Sequence, residues 1–102
     1  MSSSEDDWEA TALDARDNVA VVLEAVPADH AVRVKIGDAI VTIVAREPIA
    51  LGHKIALADL PPGAPLLKYG ECIGEATATI ARGAWVHVHN VRSRRARPDH
   101  AS

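Results

Sequence analysis

The sequence contains no phenylalanine and a single methionine, so few bulky side chains are available to fill a core. A core built from Val, Ile, Leu and Ala favours thin sheets of β-branched residues. The single cysteine, Cys72, excludes an internal disulfide and is typical of proteins from a reducing cytoplasm. No apolar run approaches the roughly 20 residues that a membrane-spanning helix needs. We therefore expect a cytoplasmic protein that does not interact with a membrane.

The chain also lacks a strong excess of positive charge, since its formal net charge is −3. We therefore expect no nucleic-acid partner. The charge is uneven, with six acidic side chains in residues 1–17 and four arginines in residues 91–102. A chain of 102 residues suits one domain, which is too small to build a deep catalytic cavity easily. We expect a disordered acidic segment over 1–11, one domain over 12–92 and a flexible basic tail over 93–102.

Between the charged ends, hydrophobic residues mostly alternate with polar ones. Val32, Val34 and Ile36 share one face of a strand, and the turn pair Gly37-Asp38 separates them from a second strand at 39–45. Turn signals recur every 8–12 residues, which is typical of a small, mostly-β fold. Further short strands are predicted at 53–57, 66–69, 75–80 and 84–89.

One segment, residues 10–25, is ambiguous because its alanine-rich sequence also suits a helix. Val19, Val21 and Leu23 occupy alternate positions within it. We therefore favour a strand that begins at about Asn18.

The last predicted strand carries the sharpest chemical feature. Because residues two apart point to the same side of a strand, Trp85, His87 and His89 would line one face, with Val86 and Val88 on the other. Two imidazoles about 7 Å apart could share a divalent metal or bind one substrate jointly. Alternatively, this is a solvated strand face that Trp85 covers. A metal site would also need a third ligand.

Two shorter motifs could add to such a site. The Gly before His53 and Lys54 lets the backbone turn tightly and present both side chains together. Lys68, followed by Tyr69-Gly70, could place an ammonium group against a carboxylate or phosphate. Taken alone, the first motif is more typical of an exposed loop, and the second is more typical of a strand end with turn glycines. His53 is the obvious candidate for a third metal ligand.

Taken together, four motifs in this order resemble one protein family. They are Asp17-Asn18-Val19-Ala20-Val21, Gly52-His53-Lys54-Ile55-Ala56-Leu57, Lys68-Tyr69-Gly70 with Ile73-Gly74, and Val86-His87-Val88-His89-Asn90. The chain resembles the small SAF-type subunit of the altronate dehydratase family, which includes sulfolactate sulfo-lyase α-subunits and the N-terminal domain of galactarate dehydratase. The resemblance covers about residues 12–95.

The resemblance implies a β-clip fold and a much larger subunit or domain that holds most of the active site. It implies a divalent metal, usually iron(II), shared with or mainly held by that large subunit. It implies metal or acid–base roles for His87 and His89, a catalytic role for His53, and a position for His53 and Lys54 in the same cleft. Lys54, Lys68 and Asn90 become candidate substrate contacts.

These implications favour the small subunit of a two-component hydro-lyase that converts an altronate-like sugar acid to a 2-keto-3-deoxy acid. The α-subunit of a sulfolactate-type sulfo-lyase is an alternative, and a non-catalytic carbohydrate-binding or regulatory module is another. Val- and Ala-rich strands should leave an open sheet edge or an apolar patch, so without its partner the chain is expected to form a homo-oligomer.

Overall fold

The computed structural model describes residues 8–87 and 89–93, and all regular elements in this part of the chain are β-strands. The predicted mostly-β fold is therefore confirmed. No helix in these residues is long and apolar enough to cross a membrane. The strands are β1 (Ala10–Ala12), β2 (Val19–Val22), β3 (Ala31–Ile36), β4 (Ala39–Val44), β5 (Lys54–Ala56), β6 (Pro65–Lys68), β7 (Glu71–Ala76), β8 (Trp85–Val86) and β9 (Val91–Ser93).

Two sheets contain these strands. Six strands form the larger sheet in the order β4-β3-β1-β2-β5-β8, and β6-β7-β9 form the smaller one. The predicted hairpin is β3 and β4, whose paired residues run from Ala31 with Val44 to Ile36 with Ala39. The ambiguous Ala-rich segment contains β2, the strand favoured from the alternation of its valines, and also β1, which that alternation did not predict.

Strand β1 begins at Ala10, so the ordered domain starts earlier than the predicted boundary at residue 12. Ala10 pairs with Val22 of β2 on one side and with Val34 of β3 on the other. Its small side chain is fully buried within a cluster of apolar residues. A three-residue strand gains its stability from such long-range pairing and not from a local pattern. Residues 1–7 and 94–102 lie outside the described part of the chain.

The residue before β1 also belongs to the folded domain. Glu9 accepts a hydrogen bond from the backbone N–H of Arg33 at 3.1 Å, and its other carboxylate oxygen lies 2.6 Å from Nε2 of His30. Its backbone N–H donates to the carbonyl of Arg33. Glu9 therefore ties the start of the chain to β3, and His30 has a structural partner distant in sequence.

Buried side chains form two clusters on opposite faces of β2 and β5. Ala20 and Ile55 belong to the first cluster, whereas the neighbouring Val19 and Ala56 belong to the second. Successive residues of a strand point to opposite faces, so both faces of these strands are covered. The first cluster contains Ala10, Ala12, Ala20, Val22, Val26, Val32, Val34, Ile43, Ala45, Ile49 and Ile55, and the second contains Val19, Ala56, Leu60, Leu66, Ala76, Ile80 and Val86.

Asn18 connects the two sheets. Its side-chain amide donates to the carbonyl of Pro65 at 2.9 Å and accepts from the backbone N–H of Leu67 at 2.7 Å. The amide group thus pairs with the backbone of β6 in the way that another strand would. The smaller sheet is held against β2 by this side chain.

Asp17 holds the turn between β6 and β7. Lys68 pairs with Glu71, so Tyr69 and Gly70 form a two-residue turn with φ angles of 55° and 78°. Such double left-handed turns are preferred in β-hairpins. The buried Asp17 carboxylate accepts both turn N–H groups, from Tyr69 at 2.9 Å and from Gly70 at 2.8 Å.

Strand β7 differs from the strand predicted at 75–80. It runs over Glu71–Ala76 because its extent is set by pairing with β6 after the tight turn. Residues 77–79 are exposed outside the strands. Ile80 alone returns to a strand-like contact, in an isolated bridge with Leu60.

Candidate functional site

Four rings from two distant segments meet at one end of the larger sheet. The ring of Trp85 lies 5.6 Å from that of His53, 5.1 Å from that of His87 and 4.8 Å from that of His89, measured between centroids. The rings of His53 and His87 stack at 4.8 Å. We call these four residues the aromatic cluster. The structure therefore brings together the three histidines that the sequence singled out.

The histidines reach Trp85 from a turn and not from an extended strand. β8 ends at Val86, so the strand predicted over 84–89 is wrong beyond that residue. The side chain of Asn90 accepts from the backbone N–H of His87 at 2.9 Å and donates to the carbonyl of Trp85 at 2.8 Å. These bonds take backbone groups that a longer strand would have used.

This turn also determines how the rest of the motif is placed. His87 and His89 are both exposed, whereas Val86 is buried as predicted. The prediction for Val88 falls on a residue outside the described part of the chain. Asn90, a candidate substrate contact, also has a structural role, because its side chain closes this turn.

Trp85 is central to the cluster, whereas the sequence pattern indicates only that it shares a face with His87 and His89. Its indole N–H donates to Nδ1 of His53 at 2.9 Å. Its backbone N–H donates to the carboxylate of Glu47 at 2.9 Å. No motif marked Glu47, because its contact with β8 joins residues far apart in sequence. The position of Trp85 two residues before His87 indicates contact with His87 and His89, but it does not indicate the bond to His53.

The two candidate lysines form a separate pair. Burial lowers the pKa of the Lys54 ammonium below its ordinary value, and the positive charge of Lys68 lowers it further. The ammonium of Lys68 lies 4.9 Å above the ring centre of Tyr69. Neither lysine has an ion-pair partner within residues 8–87 and 89–93. Two cations without a counter-ion can attract an anionic group such as a carboxylate.

The structure places His53 and Lys54 on different sides of the larger sheet, although they were predicted to share a cleft. Lys54 and Ile55 are successive residues of β5, so their side chains point to opposite faces. Ile55 lies in the first buried cluster, against which Trp85 also packs. The sheet therefore separates Lys54 from the Trp85 side, where His53 lies.

The described residues do not by themselves fit a metal ion. No group of three or more His, Cys, Asp and Glu side chains is placed to hold one within this part of the chain. A structural zinc site, for comparison, uses four protein ligands, and a catalytic site commonly uses three. The aromatic cluster offers imidazoles only, and Nδ1 of His53 already accepts the indole N–H.

An open apolar cleft of about 530 Å³ adjoins the aromatic cluster. His53 and Trp85 form part of its wall. Leu51, which is 64% exposed, directly follows another wall residue, Ala50. The remaining wall residues are Ala25, Val26, Pro27, Pro48 and Ile49.

Comparison with known proteins decides the family. The altronate/galactarate dehydratase SAF domain family matches residues 8–94. The chain belongs to this family. The resemblance based on four motifs is therefore confirmed, and the match begins before β1, in agreement with the folded position of Glu9.

Three relatives illustrate how such domains occur. Altronate dehydratase from Escherichia coli (strain K12) is 44% identical over 81 residues, which are 79% of this chain but 16% of that protein. Galactarate dehydratase (L-threo-forming) from the same strain is 48% identical over 40 residues, 39% of this chain and 8% of that protein. (2R)-sulfolactate sulfo-lyase subunit alpha from Paracoccus pantotrophus is 38% identical over 53 residues, 52% of this chain and 79% of that subunit. The chain thus spans a small part of the dehydratases and most of the sulfo-lyase subunit.

Proposed function

We propose that this SAF domain is the small component of a two-component hydro-lyase that dehydrates an altronate-like sugar acid to a 2-keto-3-deoxy acid. The aromatic cluster is the observation that carries the proposal, because it gathers three imidazoles around Trp85. The 44% identity with an altronate dehydratase over most of the chain supports the same reaction class.

The chemistry requires two proton transfers. Loss of the proton beside the carboxylate builds negative charge on the substrate, and the departing β-hydroxyl must be protonated to leave as water. Imidazole can remove or supply a proton near neutral pH. His87 and His89 are exposed and are the groups we assign to this acid–base work. His53 contributes the third imidazole of the site.

The lysine pair is proposed to attract the carboxylate of the substrate. Burial lowers the pKa of the Lys54 ammonium, and repulsion by the nearby charge of Lys68 lowers it further. An anion bound between them would relieve that repulsion. Because Lys54 and the aromatic cluster lie on opposite faces of β5, one extended sugar acid would have to pass the end of this strand to reach both.

A larger partner is proposed to complete the site. The imidazoles of His87 and His89 face solvent, and the described residues lack a full metal-ligand set. We assign the divalent metal, iron(II) by resemblance, mainly to the partner. A surface that closes over the aromatic cluster would also cover the apolar cleft beside it. Without that partner, homo-oligomer formation stays a prediction.

A second candidate is the α-subunit of a sulfolactate-type sulfo-lyase. The specific observation is that the match with one such subunit covers 79% of its length, so a separate small chain is known in that branch. The aromatic cluster would then assist loss of a different β-leaving group. The two candidates differ in substrate and not in the residues involved.

The test is to co-express the chain with the large lyase subunit of its own organism and assay altronate, galactarate and sulfolactate. His87→Ala and His89→Ala should each lower turnover by about 10²-fold or more, the lower range for loss of an acid–base group. His30→Ala is the matched control, since His30 pairs with Glu9 away from the cluster. Full activity of both cluster variants would contradict the proposal and favour a non-catalytic binding or regulatory module.

A further inference from the structure

The contact between Trp85 and His53 determines where the imidazole proton lies. The indole N–H is a donor only, so Nδ1 of His53, 2.9 Å away, must be the acceptor. A neutral imidazole that accepts at Nδ1 carries its proton on Nε2. The hydrogen bond therefore selects one tautomer of neutral His53.

Trp85 is anchored firmly enough to impose this choice. Its backbone N–H donates to Glu47, and its carbonyl accepts from the side chain of Asn90. It also pairs with Ile55 of β5, which lies two residues after His53. The backbone of Trp85 is thus fixed beside β5, which begins directly after His53, so donor and acceptor keep their relative positions.

His87 further restricts the imidazole of His53. Its ring stacks on His53 at 27° and on Trp85 at 13°. With one face of His53 covered and Nδ1 occupied, the N–H at Nε2 is the polar group that remains to interact. No hydrogen bond to this atom occurs within the part of the chain that the structure describes.

We propose that Trp85 is a positioning residue that holds His53 as a hydrogen-bond donor, through Nε2, to an oxygen of the hydroxy acid. The same bond excludes His53 from metal binding. Nδ1 already accepts the indole N–H, and a metal at Nε2 would require the imidazole proton to be on Nδ1, where it would face the indole N–H as a second donor. The choice of ligand rests on the proposed function, whereas the tautomer does not.

The tautomer is tested directly on the full chain by long-range ¹H–¹⁵N correlation spectra of its imidazoles. His53→Gln identifies the His53 signals by their loss. We expect a protonated Nε2 and an unprotonated Nδ1 in the wild-type chain, and a rise in the Nδ1-protonated form in Trp85→Phe. A wild-type His53 with its proton on Nδ1, or an even mixture of both tautomers, would overturn the proposal.

The role of the donor is tested in the co-expressed complex. Trp85→Phe should lower kcat by about tenfold or more, since a wrong histidine tautomer is costly in other enzymes, while KM changes less. His53→Gln keeps an amide N–H near the position of Nε2 and should retain more activity than His53→Ala. Equal loss in both variants would contradict a donor role. If the spectra show the expected tautomer but the wild-type complex turns over none of the acids, the proposed function fails and the tautomer assignment stands.

Discussion

Replacing Asp17 by alanine should destabilise the domain by about 3 kcal/mol. The buried carboxylate accepts the N–H groups of Tyr69 and Gly70 at 2.9 and 2.8 Å. Each hydrogen bond to a charged acceptor contributes about 1.5–3 kcal/mol, so loss of both could cost about 3–6 kcal/mol. Tyr69 is 49% exposed, and water that reaches the turn should offset part of this loss. The lower end of the range is therefore expected.

Urea denaturation of the isolated chain, followed by tryptophan fluorescence, measures this change. Asp59→Ala is the matched control, because Asp59 is exposed and accepts one backbone N–H, from Arg82 at 2.8 Å. It should cost about 1 kcal/mol or less. If Asp17→Ala were no more destabilising than the control, the turn would not depend on the buried carboxylate, and the reasoning would be refuted.

Two further contrasts test packing and partner binding. Gly83→Ala should lower the free energy of unfolding by more than about 3 kcal/mol, because the new Cβ would lie 2.1 Å from the carbonyl oxygen of Val44. Gly63 has a similar φ, but a Cβ at this position would meet open space. Gly63→Ala should therefore lower the free energy of unfolding by only about 1–2 kcal/mol. Thermal melts that rank them equally would contradict this. Leu51 lies beside the apolar cleft, and Leu51→Asp should abolish co-purification of the chain with the large subunit. Leu13→Asp is the control and should not, although Leu13 is 66% exposed and Leu51 64%. Equal recovery of both complexes would show that the partner binds elsewhere.

The parts of the fold that sequence could predict are those with a local signal. The β3–β4 hairpin follows from alternating Val32, Val34 and Ile36 and from the turn at Gly37. Strand β1 has no comparable signal, because three residues form a strand only through pairing with two distant neighbours. The Asp17-Asn18 pair was recognised as a motif, but its role depends on contacts with residues about 50 positions away.

The candidate site shows the same division. The alternating pattern correctly predicted that His87 and His89 lie beside Trp85. A turn after β8, and not a longer strand, places them there. Asn90 was the local signal for that turn, because asparagine is common in turns and its side chain bonds readily to nearby backbone. The hydrogen bond from Trp85 to His53 joins residues 32 positions apart, and no local pattern contains it.

The most direct test of the account is turnover of the sugar acid by this chain alone, by the large subunit alone and by the two together. The chain should fold yet be inert with iron(II), because its described residues contain no complete metal site. The complex should form a 2-keto-3-deoxy acid at a rate on the order of 1 per second or faster. Turnover at that rate by the isolated chain, or an equal rate from the large subunit without it, would contradict the account.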